Sequence, residues 1–380
     1  MSRSTPVSVL QLRSSAGLYG ADRMVLALNA GLPRPGARSR LLSIHNYLLD
    51  AQPLHDAAMA AGQDAALLPC RGRIDARTIG ALCAQIDACD ADLLHVHDYK
   101  SAFYAWLASR RRRMRLVATL HGWVEASPAL RLYNTLEIAL LRRFDALVVV
   151  AEAQLERLLR AGVPRARIHQ IDNGIGMVAT ARAPSPVMRH ALGLEGASHV
   201  FGAVARLSPE KNLSLLVDAF GEVAIADPGA RLLIVGDGPE RAALEAQVDR
   251  LGLAGRAHFA GMRTDMENIY PLIDCLVLPS LSEGMPLVVL EAMSHAIPVI
   301  ASAVGDVPRL LSHSEHGRLV APGDGVAMRV AMQAILAQPG HRDTRAQAFV
   351  RTHHSGEAMT ARYFELYRSL LVDGYGRKTA

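Results

Sequence analysis

Short apolar runs alternate with amphipathic stretches along the chain, and the alternation breaks once and then restarts. VSVLQL (7–12), RLLSIHN (40–46), DLLHVHD (92–98), RLVATLHG (115–122) and ALVVVAE (146–152) read as buried strands. Between them lie helix-like segments such as ADRMVLALNAGL, TIGALCAQIDAC and SAFYAWLASRRRRM. Strands that alternate with helices build parallel sheets. From Asn173 the run NGIGMVATARAPSPVMRH is rich in small residues and proline, and reads as a linker. The pattern then resumes with HVFGAVARL, RLLIVGDG, AHFAGM, CLVLPS and IPVIAS. The expectation is two doubly wound α/β domains, 1–175 and 176–355, facing each other across a cleft. Ligands would bind beyond the C-terminal strand ends of each sheet.

A length of 380 residues suits two domains better than one. Half the residues are apolar and a fifth are charged, so the composition is that of an ordinary globular protein. The cysteines Cys70, Cys83, Cys89 and Cys275 are scattered without a CxxC pair. They read as free thiols in a reducing compartment. No apolar run is long enough for a signal peptide or a spanning helix. Charge is uneven: residues 1–180 hold 22 Lys+Arg against 15 Asp+Glu, a net of +7, and the remainder is close to neutral. A basic half can meet nucleic acid, an anionic membrane or lipid phosphate, or simply water. The chain is only 5% aromatic, which argues against a nucleic-acid groove. The run Arg110 to Arg113, with Arg115, closes a helix. It reads as a solvated end or as a membrane-surface patch.

Three C-terminal motifs stand out. VARLSPEKN (204–212) leaves a strand and enters a helix, which places the cations Arg206 and Lys211 beside a helix N-terminus. Such a place suits a diphosphate; an ordinary solvated turn is the other reading. LLIVGDGPE (232–240) carries Gly236 and Gly238 in half of a dinucleotide fingerprint. Arg241 stands where the third glycine would be, so an NAD site is not supported. In SEGMPLVVLEAM (282–293), Glu283 lies on a loop at a strand's C-terminal end and Glu291 about two turns into the following helix. Carboxylates accept hydrogen bonds from sugar hydroxyls, and helix-terminus stabilisation is the alternative for Glu283.

In the N-terminal half, His121 ends the strand in ATLHGW, and His95 and His97 end another. The pair reads as one packed histidine and one at the cleft rim, not as a metal site. Asp90-Ala91-Asp92 has the D-x-D spelling of metal-dependent sugar transferases, but lies at the wrong strand end for a ligand.

ARLSPEKN, VGDGPE, SEGMPLVVLEAM and IPVIASAVGDVPRLL together resemble the retaining GT-B glycosyltransferases of family 4. GLYGADR, HVHD, TLHGW and the NGI at 173–175 extend the resemblance through the N-terminal half. The resemblance implies that Arg206 and Lys211 hold a donor diphosphate in place of a metal ion. Glu283 and Glu291 match the Glu-x7-Glu motif, the first on the donor sugar and the second on the nucleotide ribose. Gly284, Met285, Pro286 and Leu287 would line the sugar and phosphate, with Gly20 admitting the donor and His121 supporting the transferred sugar. The chain departs from the family at Tyr19-Gly20, where paired glycines are usual, at Gly176 after the NGI, and at Arg309, where an acid is usual.

The resemblance thus implies a metal-independent retaining glycosyltransferase with no cofactor. Its donor would be a UDP-sugar or GDP-mannose, and its acceptor a glycan or lipid-linked sugar in bacterial polysaccharide or glycolipid assembly. The enzyme would be cytoplasmic, meeting the inner leaflet as a peripheral protein. A final helix, GEAMTARYFELYRSLL (356–371), would return to the first domain. A nucleotide-sugar 2-epimerase and a non-catalytic sugar-nucleotide-binding protein are the rival readings.

Overall fold

The computed structural model describes residues 6–33, 36–121, 128–176, 183–315, 317–337 and 340–372; the side chains of 128–134 are not described. The chain divides into two compact units. One comprises Met1–Gly176 with Ser355–Ala380, the other Met177–His354.

The first unit is built on seven parallel strands: β1 (Val7–Ser14), β2 (Ala37–Ile44), β3 (Ala65–Leu68), β4 (Leu93–Val96), β5 (Arg115–Leu120), β6 (Ala146–Val149) and β7 (Ile168–Gln170). Their order is β3-β2-β1-β4-β5-β6-β7. The second unit has six: β8 (Val200–Val204), β9 (Arg231–Val235), β10 (Ala257–Gly261), β11 (Cys275–Leu278), β12 (Val299–Ser302) and β13 (Arg318–Val320). Their order, β10-β9-β8-β11-β12-β13, is the same winding. In each sheet the order reverses beside the first strand, between β1 and β4 and between β8 and β11. Such a reversal opens a crevice at the C-terminal strand ends, where ligands bind in open α/β sheets.

The strand sequences suit this position. Every residue of β4, β6, β11 and β12 is buried. A central parallel strand covered on both faces needs such a continuous apolar run. The helix Leu213–Ala226 buries Leu213, Leu216, Val217, Phe220, Val223 and Ala224, a stripe at three- and four-residue spacing. Phe220 meets Phe201 of β8 edge to face at 6.4 Å.

Asp98 ties the first reversal together. Its carboxylate accepts the Ser14 N–H at 2.7 Å and caps the helix Tyr99–Ser109 through Ser101 N–H at 2.9 Å. The acid of the HVHD motif is therefore spoken for by the backbone. Asp92, at the opposite end of β4, accepts the Ser8 N–H at 3.1 Å.

The helix Gly356–Val372 belongs to the first unit. Met359, Tyr363 and Tyr367 are buried with Met24, Leu28, Val9 and Val148. Close packing against the helix Gly20–Gly31 depends on Gly31, where a Cβ would stand 2.5 Å from Thr360 Oγ1. Among the described residues no helix is long and apolar enough to cross a membrane.

Tyr367→Ala deletes a fully buried ring and is expected to cost about 3–5 kcal/mol. Both tryptophans, Trp106 and Trp123, lie in this unit's sequence. Tryptophan fluorescence during urea unfolding therefore reads that unit directly. The transition should move to lower urea, and an unmoved midpoint would contradict this packing.

Candidate functional site

In the second unit, β8 ends at Val204 and the chain turns through 205–212 into the helix Leu213–Ala226. Asn212 closes the turn in the left-handed region, at φ 51° and ψ 40°. The turn is braced from the β9 loop. Leu207 donates its N–H to Asp237 O, and Glu240 donates its own to Leu207 O, both at 3.0 Å. Gly236, at φ 135°, and Gly238 make this approach feasible. A Cβ on either would fall 1.9 Å from Ala205 O or 2.3 Å from Leu207 O. The half-fingerprint glycines thus seat one loop upon another, and their N–H groups are already engaged: Gly236 donates to Gly261 O at 2.8 Å and Gly238 to Asp237 Oδ1 at 2.7 Å.

Arg206 is exposed on this turn, and its guanidinium closes no ion pair among the described residues. Its charge and that of Lys211 both bear on Glu210. Burial pushes the Glu210 carboxyl up, but the Ser208 hydroxyl at 2.6 Å, a backbone N–H and these two cations outweigh it and hold it below the usual carboxylate range.

Beyond β11 the loop Ser280–Pro286 brings Glu283 to Lys211. Lys211 Nζ donates to Glu283 Oε1 at 2.7 Å, and Ser280 Oγ donates to the same oxygen at 2.7 Å. The pair is largely removed from water, with 21% of the Lys211 side chain and 8% of the Glu283 side chain exposed. Oε2 of Glu283 takes no partner among the described residues. Backbone contacts hold the loop from two sides. Leu281 N–H donates to Glu210 O at 2.8 Å, and Asp306 N–H to Gly284 O at 2.9 Å. Gly305, at φ 53°, lets the β12 loop come this close, since a Cβ there would lie 2.3 Å from Glu283 O. Arg309 pairs with the buried Asp306 at 2.9 Å, so it steadies the supporting loop. The helix Leu287–Ser294 begins next, with Pro286 as its cap and Met285 and Leu287 buried at its start. Its first N–H groups are open to an anion.

Glu291 stands two turns along and belongs to a separate group. Its Oε2 accepts the Tyr270 hydroxyl at 2.5 Å, and the Tyr270 ring stacks on His295 at 5.1 Å. The structure therefore joins Arg206, Lys211, Glu283 and the 284–287 backbone in one place, with Glu291 held apart on the same helix. Ser280 and Tyr270 escaped sequence reasoning. Ser280 was in view three residues before Glu283; Tyr270 had no local signal.

The remaining expected residues, Gly20 and His121, lie in the first unit. Gly20 is exposed at the start of the helix Gly20–Gly31. The turn before it is pinned by Asp22, which accepts the Tyr19 N–H at 3.0 Å and pairs with Arg13 Nε at 2.5 Å. The Tyr19 ring folds over Gly17, where a Cβ would meet it at 2.5 Å. His121 follows β5 and is half-buried. Its Nε2 lies 3.3 Å from His97 Nδ1, and His97 Nε2 lies 2.8 Å from Gln11 Oε1. The expectation that one of His95 and His97 reaches a cleft rim is corrected here. Both are buried: β4 is the central strand, and Tyr363 and Tyr367 of the helix Gly356–Val372 pack against the His95 ring. His95 bonds Thr119 Oγ1 at 2.8 Å and the Tyr367 hydroxyl at 2.7 Å.

The arginine run serves more local purposes. Arg112 grips Asp87 through two bonds, at 2.6 and 2.7 Å, and Arg110 and Arg143 both lie over the Trp106 ring. Arg111 and Arg113 remain exposed. Among the cysteines, Cys70, Cys83 and Cys275 are buried and Cys89 is half-buried, all as free thiols. Among the described residues no three His, Cys, Asp or Glu side chains gather as a metal would need.

Burial lowers His95 to about 3. His97 also falls well below its ordinary value through burial, with His95, His121 and Arg13 adding repulsion. For His121, burial comes first, then Arg13 and His95. A neutral buried histidine stabilises the fold fully above its unfolded value near 6.5, and that contribution is lost as pH falls below it. His95 and His97 should each cost up to about 1.4 kcal/mol per pH unit over that range. Urea midpoints read by tryptophan fluorescence should drop steeply from pH 6.5 to 5, and His95→Gln should flatten the slope. A flat wild-type profile would contradict neutral burial.

Comparison with known proteins now adds a family. The sequence model described as Glycosyltransferase Family 4 matches residues 19–177, and that described as Glycosyl transferases group 1 matches 198–338. The N-acetyl-alpha-D-glucosaminyl L-malate synthase of Bacillus anthracis is 27% identical over 293 residues, covering 74% of this chain and 76% of that one. The D-inositol 3-phosphate glycosyltransferase of Mycobacterium marinum is 27% identical over 304 residues, covering 74% of this chain and 64% of its own length. Among solved structures, the Anabaena protein HepE, in complex with UDP and glucose, superimposes with a TM-score of 0.82 at 22% identity, covering 96% of this chain and all of that one. The sucrose-phosphate synthase of Thermosynechococcus elongatus gives 0.77 at 23% identity, covering 97% and 100%. The two family models lie one on each of the two similarly wound units, and the chain belongs to the group 1 glycosyltransferases of GT-B type.

Proposed function

We propose that this protein transfers a sugar, with retention, from a nucleoside-diphosphate sugar to a hydroxyl group of an acceptor. The observation that carries the reading is the Lys211–Glu283 pair, fixed by Ser280 at the β8–β11 reversal, with Arg206 exposed on the same turn as Lys211. The relatives' names add support: HepE was solved with UDP and with UDP-glucose.

In this reading Arg206 and Lys211 take the charge that develops on the departing diphosphate, which is work a metal ion does in other transferases. The N–H groups of Gly284 and Leu287 add to this, with the helix dipole behind Leu287. Glu283 turns its unpartnered oxygen to the donor sugar's hydroxyls. Glu291, oriented by Tyr270, takes the ribose. In the first unit, His121 and Gly20 are the residues this reading assigns to the sugar and to donor access. Gly236 and Gly238 complete the set by seating the β9 loop against the Arg206 turn, and no metal or cofactor enters a step.

The acceptor in this proposal is a glycan or lipid-linked sugar in bacterial polysaccharide or glycolipid assembly. It is met at the inner membrane face by a cytoplasmic protein whose Arg111 and Arg113 face the lipid. A second reading has one observation in its favour. The relatives named for L-malate and inositol 3-phosphate favour a small anionic polyol or hydroxy acid as the acceptor.

Glu283→Gln keeps the shape and removes the charge. The kcat/KM for transfer should fall at least about 100-fold, which is ~2.7 kcal/mol of transition-state stabilisation. Nucleotide release from a panel of UDP- and GDP-sugars, with and without acceptor, measures it. Wild-type turnover in the variant would remove Glu283 from the mechanism, and acceptor-independent release of an epimerised sugar would favour the epimerase.

A further inference from the structure

A chain of buried polar groups leads from the helix Gly356–Val372 to His121, and the proposed function does not use it. Tyr367 OH meets His95 Nδ1 at 2.7 Å and Gln11 Nε2 at 3.5 Å. Gln11 Oε1 meets His97 Nε2 at 2.8 Å, and His97 Nδ1 meets His121 Nε2 at 3.3 Å. Gln11, His95 and Tyr367 are fully buried and His97 almost so. We propose that Gln11 is a positioning residue: acting through His97, it sets the tautomer of His121 so that Nδ1 of His121 is left as a hydrogen-bond acceptor.

A neutral imidazole has one N–H and one lone pair, so each histidine in the chain passes on the polarity it receives. The direction is decided at Tyr367. A phenol is a strong donor and an imidazole nitrogen a strong acceptor, and their short 2.7 Å contact suits O–H donation to His95 Nδ1. The Tyr367 oxygen is then left to accept, which turns the Gln11 amide nitrogen towards it and the amide oxygen towards His97. His97 must donate from Nε2 and accept at Nδ1. His121 therefore donates from Nε2, and its proton-free Nδ1 takes no partner among the described residues. Away from this path, His95 Nε2 donates to Thr119 Oγ1, which is also bonded to Tyr363 OH at 2.9 Å.

The charged neighbours keep the chain neutral. Arg13 bears on both His97 and His121, and its own partner Asp22 is committed to it and to the Tyr19 N–H. An imidazolium at either histidine would face that guanidinium. The consequence for the proposed function, on which this step rests, is a specific one. His121 would accept a hydrogen bond from a sugar hydroxyl and would not protonate the substrate.

Ring-nitrogen NMR of 15N-histidine-labelled protein tests this without any substrate. His121→Gln identifies the His121 signals. In the ligand-free wild type near neutral pH, Nε2 should be pyrrole-like and Nδ1 pyridine-like. In Gln11→Met, similar in length and without the amide, the two tautomers should mix while the circular dichroism is unchanged. A proton on Nδ1, an imidazolium, or an unchanged tautomer in Gln11→Met would each overturn the proposal. The wild-type spectrum decides the polarity even if that variant does not fold. Transfer kinetics separate the two layers. A tenfold fall in kcat for Gln11→Met supports both. A changed tautomer with unchanged kcat upholds the role of Gln11 and overturns the placement of His121 on the donor sugar.

Discussion

The ion pair between Lys211 and Glu283 is the constraint around which the second unit's loops are arranged. It joins the loop after β8 to the loop after β11, the two strands that flank the reversal. Such a pair, mostly withdrawn from water, is a poor source of stability, because desolvation cancels much of the attraction. Its value lies in preorganisation. An amine and a carboxylate already held at 2.7 Å, with Ser280 fixing the carboxylate, need little rearrangement when an anionic ligand arrives. Losing one partner would leave the other charge buried, at a cost of about 3–5 kcal/mol.

Much of the surrounding architecture is support for that geometry. Gly236 and Gly238 let the β9 loop press on residues 205–207, and Gly305 lets the β12 loop press on Glu283 and Gly284. Four loops from four adjacent strands thus press on each other through backbone atoms. A side chain at any of these glycines would meet a carbonyl oxygen, which cannot swing aside as a flexible side chain can. In the first unit the corresponding support is polar. Asp98 joins β1 to the helix after β4, and Asp22 joins Arg13 to the Tyr19 turn.

The fold was legible because parallel strands announce themselves. Runs such as LLHV and CLVL have no polar alternation, and each precedes a loop and a helix start. Arg206, Lys211 and Glu283 were legible for a related reason: they sit where such strands end. What escaped depends on distance along the chain. Tyr270 reaches Glu291 across 21 residues, and Tyr367 reaches His95 across 272. Nothing in local spacing encodes those contacts. The pair His95 and His97 misled for the same reason. Spacing says nothing of what covers them, and the tyrosines that pack on His95 come from the other end of the chain. Arg309 looked out of place beside the resemblance; its partner Asp306 was three residues away, and only the fold shows that acid buried.

The central claim is that Arg206 and Lys211, held as the structure shows, grip the diphosphate of a nucleotide. Isothermal titration of UDP and of GDP into the full chain and into Lys211→Met tests it most directly. The account predicts that one of the two nucleotides binds the unsubstituted protein and that the variant binds it at least tenfold more weakly, with the variant still folded by circular dichroism. Equal affinity in the two proteins would contradict the account, and so would the absence of binding by either nucleotide to the unsubstituted chain.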